Sequence, residues 1–105
     1  MGERKYRLTD ETITVFGRTL YRIQATESIP SRYVDKGDLG GFIEKELNLS
    51  GDAWVSGDAW VSGDAEVFGN AWVSGNAWVF GNAWVSGDAR VSGNARVSGN
   101  ARVSG

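Results

Sequence analysis

Histidine and cysteine are both absent from the 105 residues, and proline and methionine occur once each. Without histidine the chain lacks the commonest general base and the commonest metal ligand. Without cysteine it can form neither a disulfide nor a thiolate metal site. Charge of one sign is also missing: 11 Lys+Arg stand against 13 Asp+Glu, a net charge of −2. That balance predicts no general attraction to nucleic acid or to an anionic membrane. Long apolar runs are lacking too. The opening MGERKYRLTDETI is charged where a secretory signal would be apolar, and nothing downstream could span a bilayer. The expectation is a cytoplasmic protein of single-domain size, without cofactor or metal.

What is abundant is glycine, with 15 residues, and tryptophan, with five. Their use changes along the chain. Residues 1–36 are irregular and carry strand signals: Ile13 and Val15 alternate with Thr12 and Thr14, and Tyr21, Ile23 and Ala25 alternate with Arg22 and Gln24. Gly17-Arg18 between these runs suits a two-residue hairpin loop with glycine first, a type II′ turn. KYRL at 5–8 offers a third strand after a turn at Thr9-Asp10-Glu11, and a loop is expected around Pro30 and Ser31. Residues 1–36 therefore read as a small antiparallel meander that caps the rest of the chain.

From residue 41 onward one phrase, A-x-V-S-G-[DN], repeats through eleven hexads without an insertion. Ile43, Leu49 and then valine from Val55 to Val103 hold one position; Gly41, Leu47 and then alanine from Ala53 to Ala101 hold the position two before it. In an extended triplet the first and third residues face one way and the middle one the other. Alanine and valine thus point inward and x points out. Gly-[DN] supplies residues that accept positive φ, so the chain turns after each triplet. Three hexads close one triangular turn, and turns stack as parallel strands about 4.8 Å apart. The fold class expected is all-β: a parallel β-helix over 37–105 behind the N-terminal β cap.

This repeat resembles the hexapeptide-repeat proteins of the bacterial transferase type, and the resemblance implies a left-handed coil. The segment GDLGGFIEKELNLSGDAWVSG (37–57) is similar to the start of the coil in a subgroup found in bacteria and their phages. The best-known members of the wider family are acyltransferases that use a histidine base beside a loop pushed out from the coil, and related zinc carbonic anhydrases bind metal through three histidines. This chain has no histidine and no break in its hexads, so a non-catalytic member is expected. Asp52, Asp58, Asp64 and Asp88 stand at turn positions shared with asparagine, which turn chemistry explains. Glu44 and Glu46 read as solvated surface charges.

Counting by eighteen sorts the outward residues into three faces. One carries Phe42, Trp60, Trp78 and Arg96; the second Asn48, Glu66, Trp84 and Arg102; the third Trp54, Trp72 and Arg90. The tryptophans are thus expected on the outside of the coil, because an Ala/Val-lined prism has no room for an indole. Phe68 and Phe80 replace serine at corners. Three uses compete: an intrachain ring stack ended by arginines, burial against the cap or another protein chain, and a platform for sugar rings. The favoured reading is a scaffold or protein-binding module that forms a homo-oligomer, a trimer before a dimer, through a face bearing Phe42, Trp60 and Trp78. A phage or prophage factor sequestering a host protein, a sugar binder and a degenerate acyltransferase are the alternatives.

Overall fold

The computed structural model describes residues 5–15, 17–29 and 34–104. Two long strands, β1 (Tyr6–Val15) and β2 (Arg18–Ala25), pair antiparallel from Tyr6↔Ala25 to Val15↔Arg18. Of the segment expected as a separate third strand, 5–8, the residues from Tyr6 on belong to β1. Its register slips between Leu8 and Thr12, so Thr9-Asp10-Glu11 is a bulge within one strand and not a turn between two. Val15 pairs with Arg18, so Arg18, expected in the turn, already belongs to β2, and Gly17 precedes it at φ 78°. Phe16 and the expected loop at Pro30 and Ser31 lie outside the described residues.

β3 (Leu39–Ile43) links the hairpin to the coil. One edge pairs antiparallel with β2, and the other pairs parallel with β5 (Trp60–Val61), setting Phe42 beside Trp60. Gly40 and Gly41 make this junction possible. A Cβ on Gly40 would stand 2.5 Å from the Val55 carbonyl oxygen and 2.8 Å from the Trp54 ring; one on Gly41 would stand 2.5 Å from the Ala59 carbonyl oxygen. All three contacts are closer than a real Cβ tolerates.

The other coil strands are β4 (Trp54–Val55), β6 (Glu66–Val67), β7 (Trp72–Val73), β8 (Trp78–Val79), β9 (Trp84–Ser86), β10 (Arg90–Val91), β11 (Arg96–Val97) and β12 (Arg102–Ser104). They form three parallel faces: β3-β5-β8-β11, which continues the hairpin sheet, β4-β7-β10, and β6-β9-β12. Partners are eighteen residues apart, as in Trp60↔Trp78 and Val61↔Val79. Each turn donates amides to the next, for example Trp72 N to Ala89 O at 2.9 Å and Phe80 N to Val97 O at 2.9 Å. Corners close through bonds such as Ala77 N to Ser74 O, 3.3 Å, around Gly75 at φ 68°. Inside, the valines from Val55 to Val85 and the alanines from Ala59 to Ala83 are fully buried. The fold is therefore an all-β parallel β-solenoid with an antiparallel N-terminal strand pair, as the hexads require.

One hexad departs from the pattern. Residues Glu46–Asn48 form a 3₁₀ turn instead of a strand, and here inside and outside exchange. Leu47 is 55% exposed and Asn48 fully buried, where the reverse is expected. The Asn48 carboxamide explains the exchange. Its oxygen accepts from the amides of Glu44 and Lys45 at 3.0 and 2.9 Å, and its nitrogen donates to the carbonyls of Gly63 and Ala65 at 3.2 and 2.7 Å. It supplies the cross-turn bonds that a strand would otherwise make.

Candidate functional site: three aromatic columns

Because strands stack in register, each outward side chain stands above the one eighteen residues later. On the first face this gives a column of five. The Arg22 guanidinium lies 4.4 Å from the Phe42 ring centre, Trp60 and Trp78 stack 4.5 Å apart at 8°, and Arg96 lies 4.5 Å from the Trp78 ring. Ring separation matches strand spacing, so the indoles stack face to face and turn their edges outward. Arg22 comes from β2, with its Nη1 donating to the Gly40 carbonyl at 2.6 Å. Its Nε stands 2.9 Å from the Glu11 carboxylate but out of line for a hydrogen bond, so that contact is ionic only. Beneath this cation Phe42 is 4% exposed. The expectation that Phe42 is displayed with Trp60 and Trp78 is corrected here, because β2 brings Arg22 over it.

The third face holds a second correction. Trp54 lies outside the Ala/Val interior, yet it is buried, at 2% exposure, in one apolar cluster with Tyr6, Ile23 and Ile29 of the N-terminal region. Below it Trp72 is half-buried, its Nε1 donating to Ser56 Oγ at 3.2 Å, and Arg90 stands 5.7 Å from its ring.

The second face is different. Its column reads Glu66, Trp84, Arg102 through β6, β9 and β12. Phe68 meets Trp84 edge-on at 6.2 Å and 76°, and Arg102 covers the ring at 4.6 Å. Trp84 is nevertheless 39% exposed, and Phe80, at the corner leading to this face, is 37% exposed. Trp84 is the most open of the five indoles.

Two grooves flank the edges of the Trp60–Trp78 stack. One, about 360 Å³, runs between the hairpin end at Val15 and Arg18 and the corner at Asp64 and Phe80. The other, about 320 Å³, is lined by Asp58, Asn76, Asn94 and Arg96. The charges of the first groove are already paired. Arg18 Nη1 donates to both oxygens of Glu44 at 3.0 Å, and Glu44 also accepts from the Gly63 amide at 2.7 Å. Glu44 is therefore a fastening between turns and not the freely solvated charge expected. Lys45 donates to Asp64 at 2.8 Å, and that hydrogen bond and charge hold the Asp64 carboxyl below its ordinary pKa. Among the described residues no three His, Cys, Asp or Glu side chains gather as metal ligands. No helix there is long and apolar enough to cross a membrane.

The fold and its columns meet a known repeat at this point. The YdcK Beta solenoid repeat family matches residues 71–87, 83–97 and 89–105. Those matches fall on the last turns, from Ala71 on, where the A-x-V-S-G-[DN] phrase is most regular. No curated protein matches the chain. Sequence reasoning missed Arg22, Tyr6, Glu44 and Asn48, because their roles depend on where the hairpin folds. Only Arg22 carried a signal: its place in an alternating strand puts it opposite the neighbours of Ile23.

Proposed function

We propose that this protein is a non-catalytic, left-handed member of the hexapeptide-repeat type that works as a scaffold, binding protein chains, its own copies included, through outward aromatic side chains. The observation that carries the reading is the exposure of Trp84 and Phe80 at 39% and 37% in the middle of the stacked turns. Elsewhere the large outward rings have cover: Phe42 has Arg22, Trp54 has the N-terminal cluster, and Trp60 and Trp78 have each other. Open indole edges beside a phenylalanine are the composition of a protein contact. A sugar platform is less well served. Sugar rings lie on aromatic faces, and here neighbours and arginines occupy those faces. The acyltransferases that the repeat resembles use a histidine base, and this chain has no histidine.

Light scattering and sedimentation between about 1 and 200 μM test the reading. A particle mass that rises with concentration is expected. A monomer throughout, or calorimetric binding of acetyl-CoA with turnover on an amino-sugar, would overturn it.

A further inference from the structure

The second face has a property the other two lack: its charges are arranged to complement themselves. Glu66 stands one strand above Trp84 and Arg102 one strand below. Among the described residues neither Glu66 nor Arg102 has an ionic partner, since the ion pairs there involve Lys5, Arg18, Arg22 and Lys45. Two copies can meet through this face about a two-fold axis in two simple ways. With the axis parallel to the coils, Glu66 faces Glu66 and Arg102 faces Arg102, which repels. With the axis along β9, the coils run antiparallel; Trp84 then meets Trp84, Phe80 meets Phe80, and each Glu66 faces the other copy's Arg102. The first face cannot do this. Its column has cations at both ends, Arg22 and Arg96, so either arrangement brings like charges together.

We propose that the face of β6, β9 and β12 is a homodimer interface with antiparallel coils, centred on Trp84 and closed by two Glu66–Arg102 pairs. This rests on the protein-binding reading above and names its partner, a second copy of the chain. Arg102 already lies over Trp84, 4.6 Å from the ring centre, where its N–H donors can meet a carboxylate of the second copy. Phe68 fixes the indole from the side, so little side-chain freedom remains to be lost on docking. The face is small. A hexad about 20 Å long and three strands about 4.8 Å apart give roughly 300 Å² per copy, less than half that of a standard interface. Affinity should therefore be modest, with a dissociation constant of roughly 10–100 μM.

The test uses sedimentation of the full 105-residue chain with two charge reversals, Glu66→Arg and Arg102→Glu. Circular dichroism checks that each variant keeps the wild-type strand signal. The wild type should dimerise, and each variant alone should lose at least tenfold in affinity, because each then sets two like pairs across the interface. Mixed in equal amounts, the two variants should dimerise with each other to within about threefold of wild type. Trp84→Ser should abolish association, and 0.5 M salt should weaken it severalfold. Failure of the mixture to recover, or a Trp84→Ser chain that still dimerises, overturns the proposed face while leaving protein binding in place. A wild type that stays monomeric to 200 μM sinks both.

Discussion

Asn48 is the residue on which the first turn depends most. Its carboxamide makes four hydrogen bonds from a fully buried position, two to amides and two to carbonyls. Removing it takes a partner from the Lys45 amide and from the Gly63 and Ala65 carbonyls, while the Glu44 amide keeps its bond to the Val61 carbonyl at 3.1 Å. Asn48→Ala should therefore cost roughly 2–4 kcal/mol, read as a lowered denaturant midpoint with an unchanged slope. Asn48→Asp should cost as much, since the carboxylate cannot donate to Gly63 and Ala65. A loss below about 0.5 kcal/mol would mean that the 3₁₀ turn holds itself. Nothing in the hexad count announces this role, which places residue 48 with the outward side chains. The count reads position, whereas the burial of Asn48 comes from the chain choosing a tight turn over a strand. Gly40 and Gly41 were legible only as part of a resemblance. Their reason is steric, and it needs the Trp54 ring and the next turn to be in place.

At the scale of elements, the hairpin and the coil are one sheet on one side, because β3 pairs with both. Tyr6 ties the other end of the hairpin down, its hydroxyl 2.8 Å from the carbonyl oxygens of both Glu46 and Leu49. Leu20, Ile23 and Ile29 bury fully in doing so, and Trp54 buries with the last two. Deleting residues 1–36 should expose Trp54, Ile43 and Leu49 together with the upper edge of β3. The expected product aggregates, binds a hydrophobic dye and shows red-shifted tryptophan emission. A monodisperse product with unchanged melting would make the hairpin dispensable to the coil. The coil's periodicity was fully readable, since alternation and glycine turns act over six residues. The hairpin was read less well: the bulge at Leu8–Thr12 and the position of the loop are set by matching β1 to β2, a long-range fit that local pattern does not encode.

For the whole molecule, interior and exterior are written at separate positions of the same phrase. From Ala53 on the interior is uniform, alanine and valine at every step, so there it records no difference between one turn and the next. The exterior carries all the individuality, as three columns of different chemistry. A hexad is consequently a unit of rotation. Removing residues 75–80 should leave the alternation of the core intact while turning every later side chain by one third of a turn. Trp84 would then slide under Trp60, and Arg90 would come beneath Glu66 on a face now stripped of its indole. Such a chain should keep its strand signal and lose its concentration-dependent mass; a mass that still rises would show that no single face carries the association. Removing eighteen residues instead restores every column and only shortens the coil by about 4.8 Å. Length and facing can thus be edited independently, much as a combination lock can be re-dialled without being rebuilt.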